Sequence, residues 1–284
     1  RDLVRSRGLG DVYKRQVRIH PAEEKAVKGG GIIIKPESKN KLPSIKPGDT
    51  VIFKAGKYKK KFRFENLKGT REQPIVIRPE KPGTAVFDGA ESIKLEWKKD
   101  KGLVFKAESD VHPHALQLNG GFIIHSKVRN GLKPGMYHVT GNGPWTVYYN
   151  PPEGKITDSM RFSRGVRDTA FDIVTCSHIV VKGFRVINFG MKNAPKDRFG
   201  IVNFGKVVVT VNNCDHVTVE DIEINGFFGR GISVNNSENV TVKQCRVRNG
   251  YGIGISVNGN MVGGPDRFLR NNRILESRIS HIYH

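Results

Sequence analysis

Apolar and polar residues alternate along the C-terminal half of the chain, and a longer period is laid over that alternation. Val209-Thr210-Val211-Asn212 recurs 23 residues later as Ile232-Ser233-Val234-Asn235, and after the same interval as Ile255-Ser256-Val257-Asn258. The interval also pairs Val217 with Val240, Val219 with Val242, Ile222 with Cys245, Ile224 with Val247, and Phe228-Gly229 with Tyr251-Gly252. Alternation with period two predicts strands that bury one face. A fixed period with β-branched residues in each column predicts a solenoid, in which each turn buries its apolar face against its neighbours. The expected fold is therefore all-β, a right-handed parallel β-helix of about 23 residues per coil.

Shorter strand signals lie upstream. Gly48-Asp49-Thr50-Val51-Ile52-Phe53, Gly56-Lys57-Tyr58, Gln73-Pro74-Ile75-Val76-Ile77 and Ala85-Val86-Phe87-Asp88-Gly89 are strands broken by Gly and Pro. Residues 17–91 are read as an N-terminal cap and first coils. Over 92–165 the period is lost. Trp97, Phe105, Leu116, Leu118, Phe122-Ile123-Ile124, Tyr137-His138-Val139 and Trp145-Thr146-Val147-Tyr148-Tyr149 alternate as an antiparallel insert, with turns at Gly120-Gly121, Pro134-Gly135, Gly141-Asn142-Gly143-Pro144 and Pro151-Pro152. Its aromatics suit either sugar stacking or core packing. The coils resume over 166–284, where Phe171-Asp172-Ile173 precedes Val209-Thr210-Val211 by 38 residues, about 15 more than one period. That excess predicts a loop around Gly190–Lys206. A second interruption falls at Gly259–Asp266, and loops of such length in a compact scaffold usually carry function.

The order GDTV, GKY, GT, QPIVI, FDG resembles the opening coils of the pectin-lyase-like superfamily, β-helix enzymes acting on polysaccharides that include alginate- and chondroitin-lyase relatives and several glycoside hydrolase families. The resemblance covers residues ~45–91 and ~166–284. The insert's WTVYYNPPEG is similar to a strand of β-helix glycosidase relatives. Family likeness specifies the fold better than the reaction. The NTD, DD, GHG, RIK series of polygalacturonases is missing, as is a calcium-binding aspartate cluster like that of pectate lyases. Calcium remains a candidate cofactor, and no metal ligands are assigned.

Charge changes the picture next. The formal net charge is +21, with 48 Lys and Arg against 27 Asp and Glu. Ser6–Gln16 looks like the translated adapter of a sequencing library, so residues 1–16 are set aside from the fold. About +18 remains without them. Such a balance steers polyanions, or it keeps strand edges soluble. No apolar run approaches the ~20 residues of a membrane span. The chain is read as incomplete at both ends, which hides any signal peptide and leaves room for catalytic residues beyond His284. Cys176 and Cys214 share a column with Ser237, and Cys245 shares one with Phe184 and Ile222. Stacked strands lie about 4.8 Å apart, which leaves a Cys176–Cys214 bridge open. Buried free thiols are the expectation.

The period separates scaffold charges from chemical ones. Lys182, Glu220 and Lys243 form one alternating column, and Arg185, Glu223 and Arg246 another, so these residues are expected to pair along the stack. Asn212, Asn235 and Asn258 predict a turn ladder. His216, in a column with His178 and Asn239, is read as a turn cap. Asp172, Asp197 and Asp266 remain as catalytic candidates, and Arg198, Arg230 and Arg267 as substrate-binding candidates. Asp172 faces outward where Thr210, Ser233 and Ser256 stand later, with no opposite charge in its column. Arg230 occupies a column continued by Ile253. Hydrolysis needs two carboxyl groups roughly 5–10 Å apart. β-Elimination needs a cation for the uronate carboxylate and a Lys, Arg, His or Tyr to take the α-proton. The resulting expectation is a secreted or periplasmic, monomeric carbohydrate-active protein that degrades an acidic polysaccharide by hydrolysis or β-elimination. The alternative is a non-catalytic β-helix that binds glycans or surfaces. Nucleic acid is disfavoured as a partner, because no recognised motif accompanies the charge.

Overall fold

The structure, a computed structural model, describes residues 31–38, 42–113, 115–190, 206–259 and 270–283. The adapter-like segment and most of both predicted interruptions lie outside these residues. All regular elements among the described residues are strands, and two parallel sheets dominate. One sheet runs in the order Gly31–Ile34, Thr50–Phe53, Ile75–Pro79, Ser177–Lys182, Asp215–Glu220, Thr241–Lys243, Arg273–Leu275. In the other, Glu223–Asn235 pairs through its first half with Arg185–Phe189 and through its second half with Val207–Asn212. Its opposite edge meets Arg246–Asn258 along the whole length.

The columns read from the sequence are the registers of these pairs. Val209 lies beside Ile232 and Ile232 beside Ile255, with Asn212, Asn235 and Asn258 in line. The interval widens to 38 where Phe171 meets Val209 and Lys182 meets Glu220, and to 32 where Arg246 meets Arg278. Both widenings fall at the predicted interruptions, and the strands on either side of each keep their register. Inward residues of both sheets merge into one core, with Val51, Ile77, Val181, Val219 and Val242 from one sheet and Phe64, Ile173, Val211, Val234 and Val247 from the other. Near Phe171 the core is aromatic: the Phe171 ring lies 4.4 Å from Phe87 and 4.8 Å from Phe184.

The turns repeat as strictly as the strands. Asn213, His216, Asp221 and Gly226 have φ of 53°, 51°, 47° and 76°, and their twins Asn236, Asn239, Gln244 and Asn249 have 47°, 54°, 53° and 53°. Left-handed backbone disfavours most side chains, and Asn, Asp, His and Gly tolerate it best. His178 belongs to the same series, and its ring stacks on His216 at 4.7 Å. Burial opposes ionisation of Asp215, but hydrogen bonds from Asn239 and His216 hold its carboxyl below the usual range. The histidines therefore sit at turns, as their column predicts.

The three thiols are free and buried. Cys176, Cys214 and Ser237 repeat one arrangement, in which each side chain donates to the carbonyl two residues earlier. The amides of Cys176 and Cys214 in turn donate to the next side chain of the column. Cys245 and Ser277 form the same link at another turn, and burial pushes the Cys245 thiol up to about 11. In the Asn column, Asn258 Nδ2 donates to Asn235 Oδ1 at 3.1 Å and to Ser233 Oγ at 3.2 Å.

Of the charged columns, Lys243 pairs with Glu220 at 3.0 Å and Arg185 with Glu223 at 3.4 Å. The second column departs from expectation at Arg246, which reaches Asp221 at 3.7 Å while Arg248 takes Glu223. Within 92–165, Met136–Gly141, Trp145–Asn150 and Phe105–Ser109 pair antiparallel, but Ile124–His125 joins Met136–Gly141 in parallel. Leu116, Ile123, Tyr137, Val147, Tyr149 and Phe162 form a second core there. Trp97 packs against it, with its ring 5.1 Å from Phe162.

Ile232 is fully buried between Val209 and Ile255. Ile232→Ala should cost about 2–5 kcal/mol through lost burial and the cavity left behind. Ile253→Ala, at a position 38% exposed, should change stability by less than about 1 kcal/mol, and denaturant unfolding of both variants checks the contrast.

Candidate functional site

Two excursions of the chain have their described ends at one corner of the second parallel sheet. The amides of Val166 and Arg167 both donate to Gly89 O, at 2.9 and 3.2 Å, so the 92–165 segment departs and returns at one point. The described ends of the first interruption sit beside it: Gly190 N donates to Arg167 O at 2.8 Å, and Lys206 pairs with Asp168 at 3.2 Å. The backbones pack so closely that a Cβ on Gly165 would lie 2.6 Å from Gly190 N. Phe228 and Tyr251 stack on the same corner, ring centroids 5.2 Å apart and 10° from parallel. From the antiparallel segment, His125 meets Tyr251 edge-on at 5.5 Å.

Cations line this corner. Arg167 donates from Nε to Lys59 O at 2.7 Å and from Nη2 to Glu91 at 3.2 Å. Its Nη1 is buried without an acceptor among the described residues, and so is Nε of Arg230. Arg230 is held by its amide, which donates to Lys206 O at 2.9 Å, and by its position between Val207 and Ile253. Arg164 is buried nearby in sequence and donates to His112 O at 3.3 Å. Burial lowers its guanidinium, against the opposing pull of Glu91. A buried donor left unmet costs about 1–3 kcal/mol. These two N–H groups are closed off from the surface, so a carboxylate or sulfate would meet the accessible part of each half-buried guanidinium, where charge assistance shortens and strengthens the bond.

His125 differs electrostatically. Burial, and then the neighbouring His138, drive its imidazole down to about 4. The ring is thus neutral near pH 7, and its Nδ1 is buried with no partner among the described residues. His138 Nδ1 donates to Ser126 O at 2.7 Å, which fixes that ring's tautomer. Burial also raises the Tyr251 phenol.

Two of the six residues selected from the sequence can be placed. Arg230 is at the corner. Asp172 is outward-facing but nearly covered, and it has the opposite charge that its column was expected to lack: Arg63 is its strand partner and donates to Oδ2 at 2.8 Å, while Lys61 lies 2.9 Å from the same oxygen. The pairing spans 109 residues, across the antiparallel segment, so the period could not reveal it. Asp197, Arg198, Asp266 and Arg267 lie outside the described residues. His125, Arg164 and Arg167 were not selected, since they belong to no repeating column. Among the described residues no group of three or more His, Cys, Asp or Glu side chains converges as a metal site, so no calcium ligands are assigned. No helix among them is long and apolar enough to cross a membrane.

Residues 35–114, less than half of the chain, match the family model described as Chondroitinase B. Among curated proteins, none matches this sequence. A solved glycoside hydrolase is similar at 12% identity and TM-score 0.54, over 80% of this chain and 67% of that one. XylC in complex with xylose gives 14% identity and TM-score 0.46, over 89% and 58%, and a lacto-N-biosidase from Eubacterium ramulus gives 12% and 0.32, over 87% and 40%. The chain thus spans about three-fifths of XylC and two-fifths of the biosidase. At these identities the likeness concerns fold alone, and it rests on the first structure.

His125 yields a prediction about pH. Unfolded, a histidine titrates near 6.5, above the folded value of about 4. The unfolded chain therefore binds the proton first, and stability complete above pH ~6.5 should drain away as pH falls towards 4, by on the order of 3 kcal/mol. His125→Phe should flatten that part of the unfolding free energy against pH, measured by urea titration at each pH.

Proposed function

We propose that the two parallel sheets close into a right-handed parallel β-helix and that the protein is a secreted or periplasmic enzyme, monomeric, cleaving an acidic polysaccharide by β-elimination. The observation that carries this reading is the pair of half-buried guanidinium groups, of Arg167 and Arg230, at the corner where the 92–165 segment and the described ends of the first interruption meet, each with one N–H that has no acceptor among the described residues. The match of residues 35–114 to a model named for chondroitin degradation supports the same chemistry. The net charge of about +18 that remains without residues 1–16 supports it independently, by steering a polyanion towards the protein.

In this reading Arg230 and Arg167 pair with the uronate carboxylate. That neutralisation makes the hydrogen on the adjacent carbon acidic enough to leave as a proton. His125 and Tyr251 are the neutral proton-handling side chains of the corner. As the proton is taken, the electron pair forms the new double bond, the glycosidic oxygen departs from the neighbouring carbon, and that oxygen is protonated. No water is consumed and no oxidant is required. Hydrolysis is the weaker reading, because Asp172, the placed candidate acid, is held by Arg63 and Lys61.

A panel of chondroitin, alginate, pectate and xylan tests the proposal, read by ultraviolet absorbance of unsaturated uronate ends and by reducing ends. Absorbance on an acidic polymer is the expected result. Reducing ends without absorbance would make the protein a hydrolase, and silence in both would make it a binder. Arg230→Ala should lower kcat/KM by about 10- to 100-fold, the range for a charge-assisted hydrogen bond, with unfolding unchanged. Full activity in that variant would remove Arg230 from the site.

A further inference from the structure

In the second parallel sheet, the bends that lead towards Val209 and its column carry a cation in each of four neighbouring strands. Lys59 precedes Phe62–Glu65, Arg167 precedes Phe171–Val174, Lys206 precedes Val207–Asn212, and Arg230 lies within Glu223–Asn235. These strands pair in that order, Phe62 with Phe171, Phe171 with Val209, and Val209 with Ile232. The next strand ends the row, because Ile253 stands beside Arg230. Neighbouring strands lie about 4.8 Å apart, so the row crosses the sheet for roughly 14 Å.

Charge along the row is unevenly satisfied. Arg167 is held by Glu91 and, through Nε, by Lys59 O, which ties the first two members of the row together. Lys206 pairs with Asp168 at 3.2 Å, and both side chains stay open to solvent, at 51% and 39%. Lys61 and Arg63, further along the first strand, share Asp172. The two end members differ: among the described residues neither the exposed Lys59 nor the half-buried Arg230 has an ion pair. An exposed ion pair is worth little, so the Lys206–Asp168 pair yields readily to a ligand. A small anion reaches one end of such a row, whereas a polymer with a carboxylate on each unit reaches both.

We infer that an anionic glycan lies across the strands along this row, from Arg230 at one end to Lys59 at the other, so that Lys59 forms a remote subsite and the site senses chain length as well as charge. The inference rests on the reading of Arg167 and Arg230 as carboxylate-binding, and it adds the direction in which the polymer leaves them. A short uronate oligomer fills the corner alone, and a longer one gains the contact with Lys59.

The test compares alginate dimer and hexamer on the whole chain, with affinity taken as Kd from calorimetry, or as KM where the oligomer is cleaved. The parent should bind the hexamer more tightly. Lys59→Gln should lower hexamer affinity by about two- to five-fold, the range for one exposed ion pair. It should leave the dimer unchanged, because at 0.15 M salt the ~14 Å between the ends exceeds the Debye length. Lys57→Gln removes the same charge from the exposed Lys57, which lies beside Val86 and away from the row, and it should leave both oligomers as in the parent. Arg230→Ala should weaken both. No loss in Lys59→Gln, or an equal loss in Lys57→Gln, overturns the inference, and the corner reading stands if Arg230→Ala still weakens the dimer. No effect of Arg230→Ala on either oligomer overturns the corner reading, and failure of the parent to bind either oligomer overturns both.

Discussion

In-register backbone pairing between equivalent residues is the constraint from which the rest of this structure follows. Parallel strands 23 residues apart bring Val209, Ile232 and Ile255 side by side, so each position must accept its own kind as neighbour on both sides. That requirement selects β-branched residues for the interior columns and small polar residues for the outward ones. It also fixes the turns, because a left-handed residue in one repeat obliges the next repeat to bend at the same place. The φ values of Asn213 and Asn236, and of His216 and Asn239, agree within a few degrees for this reason. Cys and Ser interchange along one column since both donate to the same carbonyl and accept the same amide.

Regularity of that kind leaves little room for chemistry, and the departures from it gather at one place. The antiparallel segment and the first interruption both depart at the corner that Gly89, Gly165, Gly190 and Lys206 define. Glycine is required where Gly165 and Gly190 touch, because any side chain there would meet backbone. The unmet donors of Arg167 and Arg230 and the neutral ring of His125 are found here, away from the saturated pairs of the charged columns. Desolvation explains both facts: packing at the corner strips water from one N–H of each guanidinium and from Nδ1 of the imidazole, and these atoms acquire no protein partner among the described residues in exchange.

The sequence displayed the strands, turns and core of the C-terminal half because equivalent residues there recur at a constant interval. Even the two interruptions were visible, as an excess of residues between columns. The first strands are harder to place: Val51 lies beside Ile77, 26 residues on, whereas Ile75 lies beside Ile179, 104 residues on. Without a constant interval, the partnership of Arg63 with Asp172 left no trace in spacing, and Asp172 looked unpaired. His125 was passed over for the same reason. Its contact with Tyr251 joins a non-repeating segment to a repeating one, and only the folded chain brings them together. Arg230 was recognisable because it breaks a column that Ile253 continues, a local contrast that needs no distant partner.

The long strand Glu223–Asn235 passes the corner without interruption, although its partners in the preceding repeat are two separate strands, Arg185–Phe189 and Val207–Asn212. It acts as a template: a fixed rail against which the neighbouring chain can detach and rejoin in phase. Segments of very different size can be spliced at such a point while every contact on either side stays where it was. Recognition of a new polymer can then change by exchange of the spliced piece, with the supporting framework left as it stands.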